Sequence, residues 1–385
     1  MRYYTAESVR AGHPDKLCDI IADTILDECL RADSHSRVAC EVMATKGRII
    51  VAGEITCAKD IDIPSAVKYV LSMHGYDSDA FIIESAIHQQ SADIAAGVNL
   101  SLEARTGEAG MGDPFGMIGA GDQGTMYGYA TDETTLFLPT PYVLARRIAR
   151  QLDVYGRGRF IDGLMPDGKA QVTVSCDDDQ SVTIESVIIS AQHGSIVSQK
   201  RLREDIIKAI APCFEDFPPP KDDVVLINPA GDFIEGGPAA DTGLTGRKLM
   251  CDTYGGLALH GGGALSGKDP TKVDRTGAYM ARHITKAIVM AKLAHRCEVA
   301  LSYAIGKACP VAVDVTTFGT GTVPDDNLRQ AILSVFDLRP AAVIDHFHLR
   351  KFDYAKTAEY GHFTCHDYPW ERVDETTMSA LWRCV

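Results

Sequence analysis

The sequence predicts an α+β protein made of three structurally similar domains, each a small mixed sheet covered by helices. Three observations lead there. The chain has 385 residues, 45% of them hydrophobic, enough for more than one core. A helical apolar stripe and pairs of strand-like runs recur along it. Letters also echo, Val38-Ala39-Cys40-Glu41-Val42 against Arg296-Cys297-Glu298-Val299-Ala300, so internal triplication is expected.

The elements follow in order. Leu17, Ile20, Ile21, Ile25, Leu26, Cys29 and Leu30 recur at helical spacing, and Pro14 suits a first turn, so a helix begins near Pro14. Val38 to Thr45 and Arg48 to Thr56 read as strands joined at Lys46-Gly47. A second hairpin fits Lys169 to Cys176 and Ser181 to Gln192 around the acidic turn Asp177-Asp178-Asp179, with a helix from Gln199 to Ile210. An amphipathic helix from Asp274 to His295 leads into strands Glu298 to Ile305 and Val311 to Phe318. The Gly- and Ala-rich stretch between Gln90 and Gly124 reads as a lid over a site or as a linker.

Composition narrows the function. Lys and Arg number 38 against 52 Asp and Glu, a net charge of −14, which disfavours nucleic acid or an anionic membrane as partner. Eleven cysteines without any C-x-x-C spacing read as reduced thiols. With no apolar signal core and no 18-residue apolar run, the expectation is a soluble cytoplasmic protein.

In so acidic a chain a polyphosphate site needs its cations gathered beside glycines. Gly261-Gly262-Gly263-Ala264-Leu265-Ser266-Gly267-Lys268-Asp269-Pro270-Thr271-Lys272-Val273-Asp274-Arg275 has that form, with glycines for close backbone approach, two lysines, and Asp274 for a metal. Gly262 to Lys268 also fits G-x-x-x-x-G-K, but Asp269 stands where a P-loop needs Ser or Thr. A flexible surface loop is the plain alternative. Gly12-His13-Pro14-Asp15-Lys16 opens the first helix, where anions are favoured, and ordinary capping is its plain reading. Pro166-Asp167-Gly168-Lys169 and Gly236 to Lys248 add Lys169, Arg247 and Lys248. His346-Phe347-His348 and His362 to His366 lack zinc-site spacing.

Together with Gly53-Glu54-Ile55-Thr56, Gly119-Ala120-Gly121-Asp122-Gln123-Gly124, Asp252-Thr253-Tyr254-Gly255-Gly256 and Tyr360-Gly361-His362-Phe363, these segments resemble the signature blocks of the methionine adenosyltransferase (S-adenosylmethionine synthetase) family, in family order along nearly the whole chain. The resemblance implies three domains with pseudo-threefold symmetry, and a homodimer or homotetramer with active sites at the subunit interface. In sequence the domains would run 1–93, 119–231 and 232–385, with a mobile active-site loop at 94–118. The implied reaction joins ATP and L-methionine into S-adenosylmethionine, then hydrolyses the triphosphate to phosphate and pyrophosphate.

Carried over position by position, the resemblance gives His13, Lys169, Arg247, Lys248 and Lys268 to the triphosphate. It gives Asp167, Asp232, Phe233, Asp241 and Ala264 to the rest of ATP, and Glu54, Gln90, Asp122, Asp241 and Lys272 to methionine. Asp15 and Asp274 would hold two Mg²⁺, and Glu41 a K⁺. The plain reading of Glu41 and Glu54 is outward-facing strand residues. Three features depart from the family: Asp232 stands where an Arg is usual, Glu235 replaces an apolar residue, and Met111-Gly112-Asp113-Pro114-Phe115 has no counterpart. The rival functions are another ATP-dependent small-molecule enzyme and a catalytically inactive regulatory relative.

Overall fold

The computed structural model describes residues 2–91, 98, 100–108, 112–177 and 182–385. The first unit runs β1 (Arg2–Val9), α1 (Pro14–Ala32), β2 (Arg37–Thr45), β3 (Arg48–Thr56), α2 (Ile63–Met73) and β4 (Ile82–His88). After a short α3 (Leu102–Thr106), the second runs β5 (Gly124–Thr131), α4 (Thr140–Arg157), β6 (Leu164–Cys176), β7 (Val182–His193), α5 (Gln199–Ile210) and β8 (Val225–Ile227). The third runs β9 (Gly243–Leu244), α6 (Leu249–Asp252), α7 (Val273–Met290), β10 (Arg296–Tyr303), β11 (Ala312–Thr316) and α8 (Asp325–Val335). A tail of α9 (Pro340–His346), α10 (Ala355–Ala358) and α11 (Glu375–Cys384) closes the chain.

The triplication is therefore real, and it is interlocked. In each unit a helix of 18 or 19 residues feeds an antiparallel strand pair, β2-β3, β6-β7 or β10-β11. The strand ahead of that helix joins a different unit: β1 pairs with β6, β5 with β10, and β9 with β2, all antiparallel. The sheets are β1-β6-β7-β8, β9-β2-β3-β4 and β5-β10-β11, closed by parallel strands β8 and β4 in the first two. Each sheet thus draws its strands from two of the segments 1–93, 119–231 and 232–385. The echoing residues fall in equivalent places, with Cys40 on β2 and Cys297 on β10 both buried.

One core lies between α1, α7 and the sheets of the first and third units, while α4 and α5 cover a second core on the β1-β6-β7-β8 sheet. The helix expected to reach His295 ends at Met290. Lys292 takes φ 57° there, its amide bonds to Val289 and that of Leu293 to Ile288, a left-handed cap that turns the chain into β10. The strands after it are Arg296–Tyr303 and Ala312–Thr316, shorter at the far end than the sequence pattern suggests. The tip of the acidic turn at Asp178 and Asp179, Ser181 and Met111, and residues 94–97, 99, 109 and 110 of the proposed loop, lie outside the described residues.

Candidate active site

The site is assembled on α1. Asp15, Asp19, Asp23 and Asp27 recur every fourth residue and so share one helix face, and all four are buried. Each carboxylate accepts backbone amides from segments distant in sequence. Asp15 takes Leu244 at 2.9 Å, Asp19 takes Gly246 at 2.8 Å, and Asp23 takes Gly267 at 2.8 Å. Asp27 takes Tyr354 at 2.7 Å and Ala355 at 3.0 Å. This acidic ladder ties both glycine-rich stretches to α1.

Countercharges fill three rungs, as burial of ions requires. Lys248 pairs with Asp15, Lys16 bridges Asp19 and Asp252, and Arg275 reaches both oxygens of Asp23 at 2.7 Å. Asp27 has only amides, and burial pushes its carboxyl up to about 7. The sequence motifs singled out Asp15 alone. The signal for the other three was present as acids at i, i+4, i+8 inside an apolar helix.

His13 is the N-cap of α1 and its Nδ1 accepts the Asp15 amide at 3.2 Å. Burial, with Lys248 adding to it, holds the imidazole down to about 3. A neutral ring whose Nδ1 accepts carries its proton on Nε2. Burial alone would raise the Asp15 carboxyl, but hydrogen bonds from Lys248 and the Leu244 amide outweigh it and keep the group ionised. Arg247 lies 3.6 Å from Asp15 with its side chain half exposed, and Lys169, exposed on β6, acts on His13 electrostatically. His13, Asp15, Lys169, Arg247 and Lys248 therefore converge.

A second pair sits at the start of α7, where Lys268 caps Asp274. Two glycines make this possible. A Cβ on Gly263 would stand 2.1 Å from the Asp274 carboxylate, and Gly267, at φ +80°, packs where a Cβ would meet the Cys40 carbonyl at 2.1 Å. Thr125, Tyr127, Thr253 and His260 line a cleft against Asp274. Lys268 bridges to Ala39, whose partner on the other side is Glu54. Lys268 and Glu54 are thus two strand spacings apart, about 10 Å, on one face. Glu41 lies on that face, and burial raises its carboxyl while Lys268 opposes the rise.

The other candidates scatter around these pairs. The Gly121 amide bonds to Thr271 at 3.2 Å, which sets exposed Asp122 beside Lys272, the N-cap of α7. Buried Asp167 accepts the Gly237 amide at 2.8 Å and so braces the stretch that leads to exposed Asp241. Ala264 packs against Gly246. Phe233 is half-buried with its amide on His193, and Asp232 accepts from Gln199 at 2.7 Å. The Gln90 amide donates to Thr56 at 3.3 Å, on the sheet that carries Glu54. Glu235 is exposed opposite Lys46. Asp113 pairs with Arg339, whose guanidinium lies over Phe115. Among the described residues no group of three or more His, Cys, Asp or Glu forms a metal cage. The eleven cysteines are unpaired, and no helix among the described residues is long and apolar enough to cross a membrane.

Half-buried lysines on single carboxylates at two helix N-termini, with glycine backbone around them, define a site for an anionic substrate and its cations. Comparison with known proteins gives the class. Residues 1–95, 117–233 and 235–372 match the N-terminal, central and C-terminal domain models of S-adenosylmethionine synthetase. The S-adenosylmethionine synthase of Desulforudis audaxviator is 49% identical over 382 residues, covering 97% of this chain and 96% of the relative. The S-adenosylmethionine synthase of Thermus thermophilus is 49% identical over 385 residues with the same coverage. The chain belongs to the S-adenosylmethionine synthetase family.

Proposed function

We infer that the chain is a methionine adenosyltransferase, a transferase that converts ATP, L-methionine and water to S-adenosylmethionine, phosphate and pyrophosphate. The observation that carries the site assignment is the convergence of His13, Asp15, Lys169, Arg247 and Lys248 at the head of α1. The methionine sulfur has a free lone pair and needs no base. It attacks ribose C5′, the C5′–O bond breaks, and the electron pair leaves on the triphosphate. Stabilising that leaving group is the main demand. His13 donates from Nε2 to the departing oxygen, and Lys169, Arg247, Lys248 and Lys268 neutralise the phosphates. Water then splits the held triphosphate.

Asp15 and Asp274 suit Mg²⁺, because that ion takes one or two carboxylates and fills its shell with phosphate oxygens and water. The lysine heads on both carboxylates mark places where cations are stabilised. Two Mg²⁺ would supply charge neutralisation of the polyphosphate, and Glu41 would hold K⁺ near Lys268. Lys272 and Asp122 bind the carboxylate and ammonium of methionine on one side. Glu54 lies on the open face of the β9-β2-β3-β4 sheet, with Gln90 bonded to Thr56 at its end, and that face also presents Met43, Ile50 and exposed Ile82 and Leu244. That face fits a second copy of the chain, so a homodimer or homotetramer completes the site. Asp167, Asp232, Phe233, Asp241 and Ala264 surround the nucleoside, and the thiol pattern suits the cytoplasm.

Incubating the protein with ATP, methionine, Mg²⁺ and K⁺ tests this. We expect S-adenosylmethionine with equal phosphate and pyrophosphate, all dependent on methionine. ADP without a sulfonium product overturns the reading.

A further inference from the structure

Away from this site, α4 walls a cavity of about 340 Å³ with Arg146, Arg147, Arg150 and Gln151, facing Pro212 and Cys213. Among the described residues no carboxylate lines it. Arg147 is satisfied, donating to the Cys213 carbonyl at 3.3 Å and to Asp216 at 2.8 Å. Arg146 is not. Four arginines are buried among the described residues, and Arg10, Arg275 and Arg282 each have a carboxylate, in Asp153, Asp23 and Glu371. Arg146 exposes 8% of its surface, donates Nε to the Tyr360 carbonyl at 3.2 Å, and has no ion pair among the described residues. Burial pushes its guanidinium below the ordinary value, and Arg150 one turn on pushes the same way. Two like charges at i, i+4 over a shared cavity repel each other modestly, and an anion between them relieves that repulsion, although Arg150 also feels the Glu359 carboxylate.

We propose that this cavity is a second anion site, in which Arg146 and Arg150 grip a phosphoryl group with the Gln151 amide beside them. Paired guanidinium forks match the planar edges of a phosphate better than a single charge does, and the cavity is at the small end of ligand-sized clefts. None of its lining residues belongs to the His13–Lys268 site, so the proposal stands apart from the transferase assignment. The phosphoryl group is either free phosphate or pyrophosphate, or the phosphate end of a nucleotide.

Calorimetric titration of the full chain with inorganic phosphate, pyrophosphate and AMP, in wild type and in Arg150→Ala, tests it. Arg150 is exposed, so its truncation leaves the fold intact. We expect the affinity of one binding event to weaken about tenfold or more, as loss of a charge-assisted contact does, with partial rescue by Arg150→Lys and unchanged turnover. Crystals soaked in pyrophosphate should show density touching Arg146. Stronger binding of AMP assigns the nucleotide source, and stronger binding of the inorganic ions assigns the free one. Identical isotherms in wild type and Arg150→Ala, or density confined to the His13–Lys268 site, overturn the proposal.

Discussion

Three helices, α1, α4 and α7, hold equivalent places in the repeat, yet among the described residues only two of them carry an ion pair in the first turn. α1 and α7 each have an aspartate as second residue, Asp15 and Asp274, and each aspartate is capped by a lysine, Lys248 or Lys268. α4 has Pro141 there. Its arginines lie further along, lining the cavity with Pro212 and Cys213. The repeat supplies three rigid helix starts. What each does depends on one residue in the first turn and on which glycine-rich stretch is tied against it.

The largest effect expected tests why α1 can anchor those stretches. Asp23→Ala leaves Arg275 buried without a counterion and should cost about 3–5 kcal/mol, read from denaturant unfolding. A loss under about 1 kcal/mol would mean the acidic ladder is not what holds the loops to α1. Next, Asp15→Asn and Asp274→Asn test the equivalence of α1 and α7. Each should lower turnover by about 10²–10³-fold with the fold retained, since the asparagine oxygen still accepts a hydrogen bond. One variant near the wild-type rate would separate the two helices.

His13 has its folded value depressed to about 3 from 6.5, so its contribution to stability is complete above about 6.5 and is lost as pH falls towards 3. Histidine NMR titration should show His13 neutral down to pH 5, and a midpoint near 6.5 would remove the neutral donor from the account. The smallest effect belongs to α4: Arg150→Ala should change stability by no more than about 0.5 kcal/mol. A large loss would make Arg150 a structural group.

Much of this was legible in the sequence, for physical reasons. Apolar spacing from Leu17 to Leu30 marked α1, and Lys46-Gly47 marked the first hairpin, because helix and turn signals are local. The exchange of β1, β5 and β9 between units was not legible, since strand pairing over more than a hundred residues leaves no periodic trace. At the site, Asp15, Lys268 and Asp274 stood out beside glycines. Asp19, Asp23 and Asp252 did not, because their partners, Lys16, Gly246, Gly267 and Arg275, come together only in the fold. Arg146 stood out even less, since its meaning lies in a missing partner.

The central claim is that cations gathered at the head of α1 stabilise the triphosphate as it leaves. Rapid-quench measurement of S-adenosylmethionine formation in a single turnover, at saturating ATP and methionine, tests it most directly in Lys248→Ala. The account predicts formation about 10²-fold slower or worse than wild type. A rate within about threefold of wild type would contradict it.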